Sequence, residues 1–221
     1  MHLVTVAHGT RRSGGNEIAR RLTAAAGETL GVPATAAYVE LCEPLLADVV
    51  AGLTEPAVVV PLLLSTGYHV RTDVPRACAA ASVPVQIGQP FGPDRLLALA
   101  QVDRLLEAGA QPGTPLVMVA AGSTDPEAWR DLRGASRLLA EGWGVEAAEV
   151  RTATLSGLGP RPADVVRRGD ALAPYLLSPG LFSRRVREVA EAHDAPCADV
   201  IGTHPLAIDL LVARVRDSWA R

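Results

Sequence analysis

The sequence lacks several features that mark common classes of protein. It contains no lysine, and its 21 basic residues, all arginine, are scattered rather than clustered. Its formal net charge of −3 at pH 7 gives no basic surface of the kind that binds nucleic acid. No apolar run reaches about 18 residues, and the N-terminal segment lacks the pattern of a secretory signal. We therefore expect a cytoplasmic protein that binds neither nucleic acid nor membrane.

Cysteine and aromatic residues are also scarce. The three cysteines, Cys42, Cys78 and Cys197, are far apart and form no CxxC pair, which argues against a disulfide framework and against a thiolate zinc site. Neither GxGxxG nor GxxxxGKS/T occurs, so a doubly wound nucleotide-binding enzyme has little support. Aromatic residues make up 4% of a chain that is 48% hydrophobic, so the core must be largely aliphatic.

What the chain does contain is a regular alternation of short aliphatic runs and segments of helical period. The aliphatic runs are continuous rather than alternating, which is typical of parallel strands covered on both faces. We predict strands at 3–7, 34–40, 57–64, 83–87, 115–120, 145–154, 172–177 and 197–201. We predict helices at about 15–30, 44–53, 71–82, 93–108, 126–141, 181–193 and 206–219. This order predicts an α/β protein with doubly wound parallel sheets.

The chain also repeats itself. Shifted by 113 residues, AHGT (7–10) falls on AAGS (120–123), and VPLLLSTGYHVR (60–71) falls on APYLLSPGLFSR (173–184). A Gly/Pro-rich linker separates the two copies. We therefore predict two similar domains from an internal duplication, spanning 1–110 and 114–221.

The two copies differ in their ionisable residues. Under the offset of 113, four ionisable residues of the first copy have no ionisable counterpart in the second: His8 falls on Ala121, Glu40 on Ala153, Glu43 on Ser156, and His69 on Phe182.

Three of these residues, His8, Glu40 and His69, follow or end predicted parallel strands. The carboxyl ends of such strands form the edge where ligands bind in open α/β sheets. Taken singly, each histidine can equally be a hydrogen-bonded loop residue, and Glu40 can be a partner for a helix dipole. Taken together, they predict a site able to bind a metal or accept protons. We expect the turn at Gly67 to direct His69 into that site.

At these residues the chain resembles a known family. The motifs VAHGTRR (6–12), AAYVELCEPLL (36–46) and PLLLSTGYHVRTDVP (61–75) are similar to those of the sirohydrochlorin chelatases, the class II chelatases, in their two-domain form. The resemblance implies a chelatase fold repeated twice around a cleft, with the N-terminal copy carrying the catalytic residues. It also implies insertion of Fe²⁺ or Co²⁺, with iron favoured, into the tetrapyrrole sirohydrochlorin for sirohaem or cobalamin biosynthesis.

Carried over by position, His8, His69 and Glu40 match the family's catalytic and metal-binding residues, with Glu43 as an alternative to Glu40. One departure is Thr10, where the family usually has serine. Imidazole suits this chemistry because it binds borderline divalent metals when neutral and accepts protons near neutral pH. Which histidine binds the metal and which accepts protons stays open.

The substrate carboxylates need cationic or hydrogen-bonding partners. The candidates are Thr10, Arg11, Arg12 and Arg71 near the motifs, and Arg184 at the equivalent edge of the second copy. We expect no permanently bound cofactor, since the metal is a substrate, and a monomer, since the fused repeat can supply the cleft within one chain. The alternative is a non-catalytic carrier that uses the same cleft to bind a metal or a tetrapyrrole.

Overall fold

The structure, a computed structural model, describes residues 1–10 and 13–220 and contains two parallel sheets flanked by helices. The first sheet has the strand order β2-β1-β3-β4, and the second has the order β6-β5-β7. Every strand pairing within both sheets is parallel. The central strands β1 and β5 are buried along most or all of their length, as expected for sheets with helices on both faces. The predicted α/β, doubly wound class is confirmed.

The described residues form seven strands: β1 (His2–Ala7), β2 (Ala34–Tyr38), β3 (Ala57–Pro61), β4 (Val85–Ile87), β5 (Leu116–Ala120), β6 (Val150–Thr154) and β7 (Ala171–Tyr175). They form eight α-helices: α1 (Ser13–Leu30), α2 (Leu46–Ala51), α3 (Val74–Cys78), α4 (Arg95–Glu107), α5 (Pro126–Trp143), α6 (Pro162–Val165), α7 (Leu181–Ala192) and α8 (Pro205–Trp219). A π-helical turn, His69–Asp73, leads directly into α3.

Helix α5 shows how local sequence sets these boundaries. The Asp125 carboxylate accepts a hydrogen bond from the Glu127 backbone N–H at 2.9 Å, and Pro126 occupies the first helical position. Both features are typical of a helix start, because they satisfy or remove backbone donors that have no partner within the helix. The helix ends at Gly144, whose φ of 77° is readily adopted only by glycine.

Two strand predictions differ most from the structure. The segment 197–201 forms no strand; it contacts β7 through a single bridge between Leu172 and Cys197. The Val200 N–H donates to the Asp199 side chain at 2.8 Å, so it is not available to extend the pairing with β7. The strand predicted at 145–154 begins only at Val150, because Ala147–Glu149 form a 3₁₀ turn closed by a capping box.

The chain folds into two compact units whose boundaries differ from the predicted domains at 1–110 and 114–221. Unit 1 contains residues 1–92 and the chain from Ala207 onward, and unit 2 is Pro93–Leu206. Each unit therefore includes the last helix of the other sequence copy. In unit 1, the Arg214 Nε of α8 donates to the Pro90 carbonyl at 3.2 Å.

The corresponding helix of unit 2 is α4. Its Gln101 is buried and donates through Nε2 to the Ala173 carbonyl of β7 at 3.5 Å. A helical pattern in the sequence indicates that a helix has a buried face, but it does not say which sheet covers that face. The exchange of α4 and α8 was for this reason not predictable from periodicity.

Each unit has its own aliphatic core. In unit 1, Val4, Val6 and Val59 of the central strands pack with Leu46 and Val50 of α2. The strands are thereby fixed by packing along their length, and their carboxyl ends hold the residues that follow in defined positions. None of the helices in the described part of the chain is both long and apolar enough to cross a membrane.

Candidate metal centre

His8 and Glu40 are brought together by the β1–β2 ladder, which continues beyond the ends of both strands. Ala7 lies opposite Tyr38 in the parallel register. The Val39 N–H donates to the Ala7 carbonyl at 2.9 Å, and the Glu40 N–H donates to the His8 carbonyl at 3.2 Å. The two side chains consequently face each other, with His8 Nε2 3.4 Å from Glu40 Oε1.

The backbone after His8 turns sharply and is fixed by α1. Gly9 has a φ of 92° and lies against the Glu40 carbonyl. The Thr10 N–H then donates to the Asn16 side-chain oxygen at 3.0 Å, while the Asn16 amide donates to the Thr10 carbonyl at 2.8 Å. Tyr38 of β2 donates to the Asn16 carbonyl at 3.2 Å, and burial raises the pKa of its hydroxyl, so it remains a neutral donor. The His8 loop is therefore anchored to both α1 and β2.

His69 reaches the same edge from β3. The strand ends at Pro61, earlier than the predicted 64, and His69 opens the π-helical turn. Its Nδ1 lies 2.6 Å from the Asp73 carboxylate, one turn later. The expected role of Gly67 as a special turn residue is not supported, because a Cβ there would meet no atom within 4 Å and its φ lies outside the left-handed range of +20° to +160°.

The predicted trio converges. The imidazole rings of His8 and His69 are 4.8 Å apart, centroid to centroid, with an interplanar angle of 89°. One ligand atom from each of His8, Glu40 and His69 lies within 4.8 Å of the others, and no other such cluster occurs among residues 1–10 and 13–220. Two imidazoles and a carboxylate form a ligand set suited to a divalent transition metal.

The other predicted site residues do not belong to this cluster of metal ligands. Glu43 is exposed and lies outside the cluster, which favours Glu40 as the functional acid. Arg71 is exposed on the π-helical turn, two residues from His69. Arg184 is exposed on α7 of unit 2. Two of the predicted residues, Arg11 and Arg12, lie outside the part of the chain that the structure describes.

The equivalent edge of unit 2 corrects the alignment of the two copies. Ala120 pairs with Thr154 as Ala7 pairs with Tyr38, and the Leu155 N–H continues that ladder to the Ala120 carbonyl at 3.0 Å. The structural counterpart of Glu40 is therefore Ser156, not Ala153. The added residues lie between α5 and β6, in the connection that contains the 3₁₀ turn.

This edge of unit 2 differs from that of unit 1 in its side chains. The Ser156 hydroxyl donates to the Ala121 carbonyl at 2.8 Å, in the place of the His8–Glu40 contact. Ala121 and Phe182, the counterparts of His8 and His69, both pack against the apolar core of the unit. Under the corrected alignment, the counterparts of the trio in unit 2 are thus one hydroxyl and two apolar side chains, none of them ionisable.

Three residues next to the cluster have no part in the sequence-based prediction. Asp73 contacts His69, and its spacing of four residues along one turn is the signal that could have identified it. Tyr68 directly precedes His69, and Leu41 directly follows Glu40. Both are large apolar side chains that are exposed to solvent, Tyr68 by 62% and Leu41 by 44%. Leu41 has a φ of 69°, an unfavourable conformation for a branched residue.

Comparison with known proteins gives consistent matches. A model of the CbiX protein family matches residues 2–108 and 115–218, so it covers both sequence copies. The sirohydrochlorin ferrochelatase of Bacillus subtilis (strain 168) is 30% identical over 242 residues, covering 99% of this chain and 92% of that protein.

Solved structures are similar along the whole chain. SirB from Bacillus subtilis with Fe³⁺ has a TM-score of 0.79 at 28% identity, covering 98% of this chain and 94% of the other. SirB from Bacillus subtilis subspecies spizizenii, a sirohydrochlorin chelatase in complex with cobalt, has a TM-score of 0.78 at 25% identity, with the same coverage.

Proposed function

Since this chain belongs to the CbiX family and is therefore a metal chelatase, we propose that it inserts a divalent metal ion into sirohydrochlorin, with Fe²⁺ as the favoured metal and Co²⁺ as the alternative. The observation that carries the proposal is the convergence of His8, Glu40 and His69 at the edge of unit 1. The preference for iron rests on the activity named for the Bacillus relative.

Insertion exchanges two pyrrole N–H protons for one metal ion, so the site must both hold the ion and receive protons. Neutral imidazole does either task, and the carboxylate of Glu40 compensates positive charge on the ion or on His8. A trio of this kind leaves coordination positions open for the ring nitrogens. A closed site with four thiolates would retain the ion instead.

The macrocycle has an apolar face and a carboxylate-rich periphery. Tyr68 and Leu41 flank the trio with exposed apolar side chains, and we assign them to contact with the face of the ring. Arg71 is assigned to the peripheral carboxylates, together with Thr10 and, as sequence-based predictions, Arg11 and Arg12.

The free state of all three cysteines is consistent with a cytoplasmic location.

The rival function is that of a carrier that binds the metal or the tetrapyrrole without inserting the ion. The two functions are separated by following the visible spectrum of sirohydrochlorin mixed with Fe²⁺ or Co²⁺ under anaerobic conditions, with and without the protein. A chelatase accelerates the spectral change catalytically, with many turnovers per protein molecule. A carrier changes the spectrum by at most a stoichiometric amount and leaves the rate of insertion at the uncatalysed level.

The same assay identifies which metal ion the protein inserts most efficiently. Initial rates with Fe²⁺, Co²⁺ and Ni²⁺, each at several concentrations, give the relative kcat/KM for the three ions. We expect the highest value for Fe²⁺. A higher value for Co²⁺ would assign the chain to cobalt insertion and leave the chelatase function intact.

A further inference from the structure

We propose that Asp73 is a positioning residue that holds His69 in the tautomer protonated on Nδ1 and so directs the lone pair of Nε2 toward the incoming metal ion. The inference rests on the proposed function in one respect, namely that His69 binds the metal. It adds a residue to the site and specifies which nitrogen of His69 acts as the ligand.

The contact itself determines the tautomer. A carboxylate oxygen can only accept a hydrogen bond, so the ring nitrogen 2.6 Å from Asp73 Oδ2 must be the one that carries the proton. The remaining nitrogen, Nε2, then has an available lone pair. Metal-binding histidines commonly donate their other N–H to a carboxylate, which fixes the ring orientation and makes the ligand nitrogen more basic.

The backbone conformation brings His69 and Asp73 together. His69 and Asp73 are the first and last residues of the π-helical turn, whose closing hydrogen bond runs from the Val74 N–H to the His69 carbonyl. Single π-helical turns occur frequently at functional sites. Val74, immediately after Asp73, is fully buried in the core of unit 1, so the end of the turn that carries Asp73 is fixed.

Among residues 1–10 and 13–220, His8 has no partner equivalent to Asp73. Its Nδ1 lies 3.4 Å from the carbonyl of the neighbouring Gly9, at the limit of a hydrogen bond, and its Nε2 faces Glu40. The His8 side chain is 47% exposed, whereas those of His69 and Asp73 are each 32% exposed. The two histidines are therefore held differently, and His69 is the one whose orientation is set by a carboxylate outside the trio.

Two measurements on the protein without macrocycle test the proposal. The first is the ring ¹⁵N spectrum of His69 at pH 8, where we expect the wild type to be protonated on Nδ1. In Asp73→Ala we expect the proton to move mainly to Nε2. The second is the affinity for Co²⁺, followed by its visible absorption, which we expect to fall about 10–100-fold in Asp73→Ala. In Asp73→Asn we expect partial recovery, because the amide oxygen still accepts a hydrogen bond.

The matched control is Asp48→Ala. It removes one exposed acidic side chain from α2 of the same unit and changes the net charge equally. We expect it to leave the Co²⁺ affinity and the His69 spectrum unchanged. Thermal unfolding of each variant identifies any loss of fold, and if Asp73→Ala does not fold, the wild-type spectrum and Asp73→Asn decide the question.

The proposal is overturned if wild-type His69 is protonated on Nε2, if the wild type does not bind Co²⁺, or if Asp73→Ala keeps the wild-type affinity. Because neither measurement involves sirohydrochlorin, these results are independent of the chelatase assay. A protein that passes both tests and yet inserts no metal would disprove the proposed function and leave the role of Asp73 standing.

Discussion

Gly9 and Glu40 are packed so closely that a Cβ at Gly9 would lie 2.0 Å from the Glu40 carbonyl oxygen. Gly9 also has a φ of 92°, which is unfavourable for any other residue. The same relationship occurs in unit 2, where a Cβ at Gly122 would lie 1.9 Å from the Ser156 carbonyl oxygen. The duplicated fold therefore keeps this close approach whether or not the edge carries ionisable residues.

Alanine substitutions at these two glycines distinguish a change in the metal site from a loss of protein stability. We expect Gly9→Ala and Gly122→Ala each to lower the free energy of unfolding by at least about 1–3 kcal/mol, because both force an alanine into a strained conformation against a carbonyl. Only Gly9→Ala should also weaken Co²⁺ binding and slow insertion, because it displaces Glu40. Urea unfolding, metal titration and the insertion assay measure the three quantities.

The result for Gly122→Ala is decisive, because the variant suffers similar strain far along the chain from the trio. Loss of metal binding in Gly122→Ala equal to that in Gly9→Ala would mean that general destabilisation, rather than displacement of Glu40, explains the effect.

Removal of either histidine should abolish most of the activity without unfolding the protein. His8 is exposed and His69 half-buried, so truncation to alanine leaves no cavity in the core. We expect His8→Ala and His69→Ala each to reduce the insertion rate about 100-fold or more, the scale typical of lost acid–base catalysis. Steady-state insertion rates and melting temperatures measure activity and fold separately.

The control is His193→Ala. His193 lies in unit 2 at the end of α7, and its Nδ1 contacts the Val189 carbonyl at 2.8 Å. This variant should keep the wild-type insertion rate even if its melting temperature falls. If both site variants insert metal at the wild-type rate, the assignment of the active site is wrong, although the protein is still a chelatase.

The fold class and the trio were predictable from the sequence because both depend on local patterns. Continuous aliphatic runs indicate parallel strands, and the carboxyl ends of neighbouring parallel strands must lie at one edge. Features that depend on pairing between distant segments were not predictable. A fixed offset pairs Glu40 with Ala153, because it does not account for the longer connection before β6. The sequence pattern of α4 does not indicate that this helix packs against α5 and β7, because a helical period carries no information about the partner of a helix.

The corrected alignment makes a prediction of its own. Ala153 is fully buried in β6, whereas Ser156 is exposed. We expect Ala153→Glu to destabilise unit 2 by at least about 3–5 kcal/mol, because it places an unpaired charge in the core. Ser156→Glu should cost no more than about 1 kcal/mol, the value of its hydrogen bond to Ala121. Urea unfolding measures both, and comparable losses in the two variants would contradict the corrected alignment.

The exchange of α4 and α8 predicts which fragment of the chain folds alone. Pro93–Leu206 contains all the elements of unit 2, including α4, whose Leu97 and Leu105 are fully buried. Helix α4 also contacts the end of this fragment, because the Asp103 carboxylate of α4 lies 3.3 Å from His204 Nε2. A fragment consisting of 93–206 should therefore bury its own core and unfold cooperatively in urea.

The sequence copy 114–221 is the matched comparison, because it has nearly the same length but contains α8 in place of α4. In that fragment, the surface of α5 and β7 that α4 covers would be exposed to solvent, and so would the buried face of α8, including Leu211 and Val215. We expect it to aggregate or to unfold without a cooperative transition. A cooperative transition in 114–221 and none in 93–206 would show that α4 and α8 instead stay with their own sequence copies.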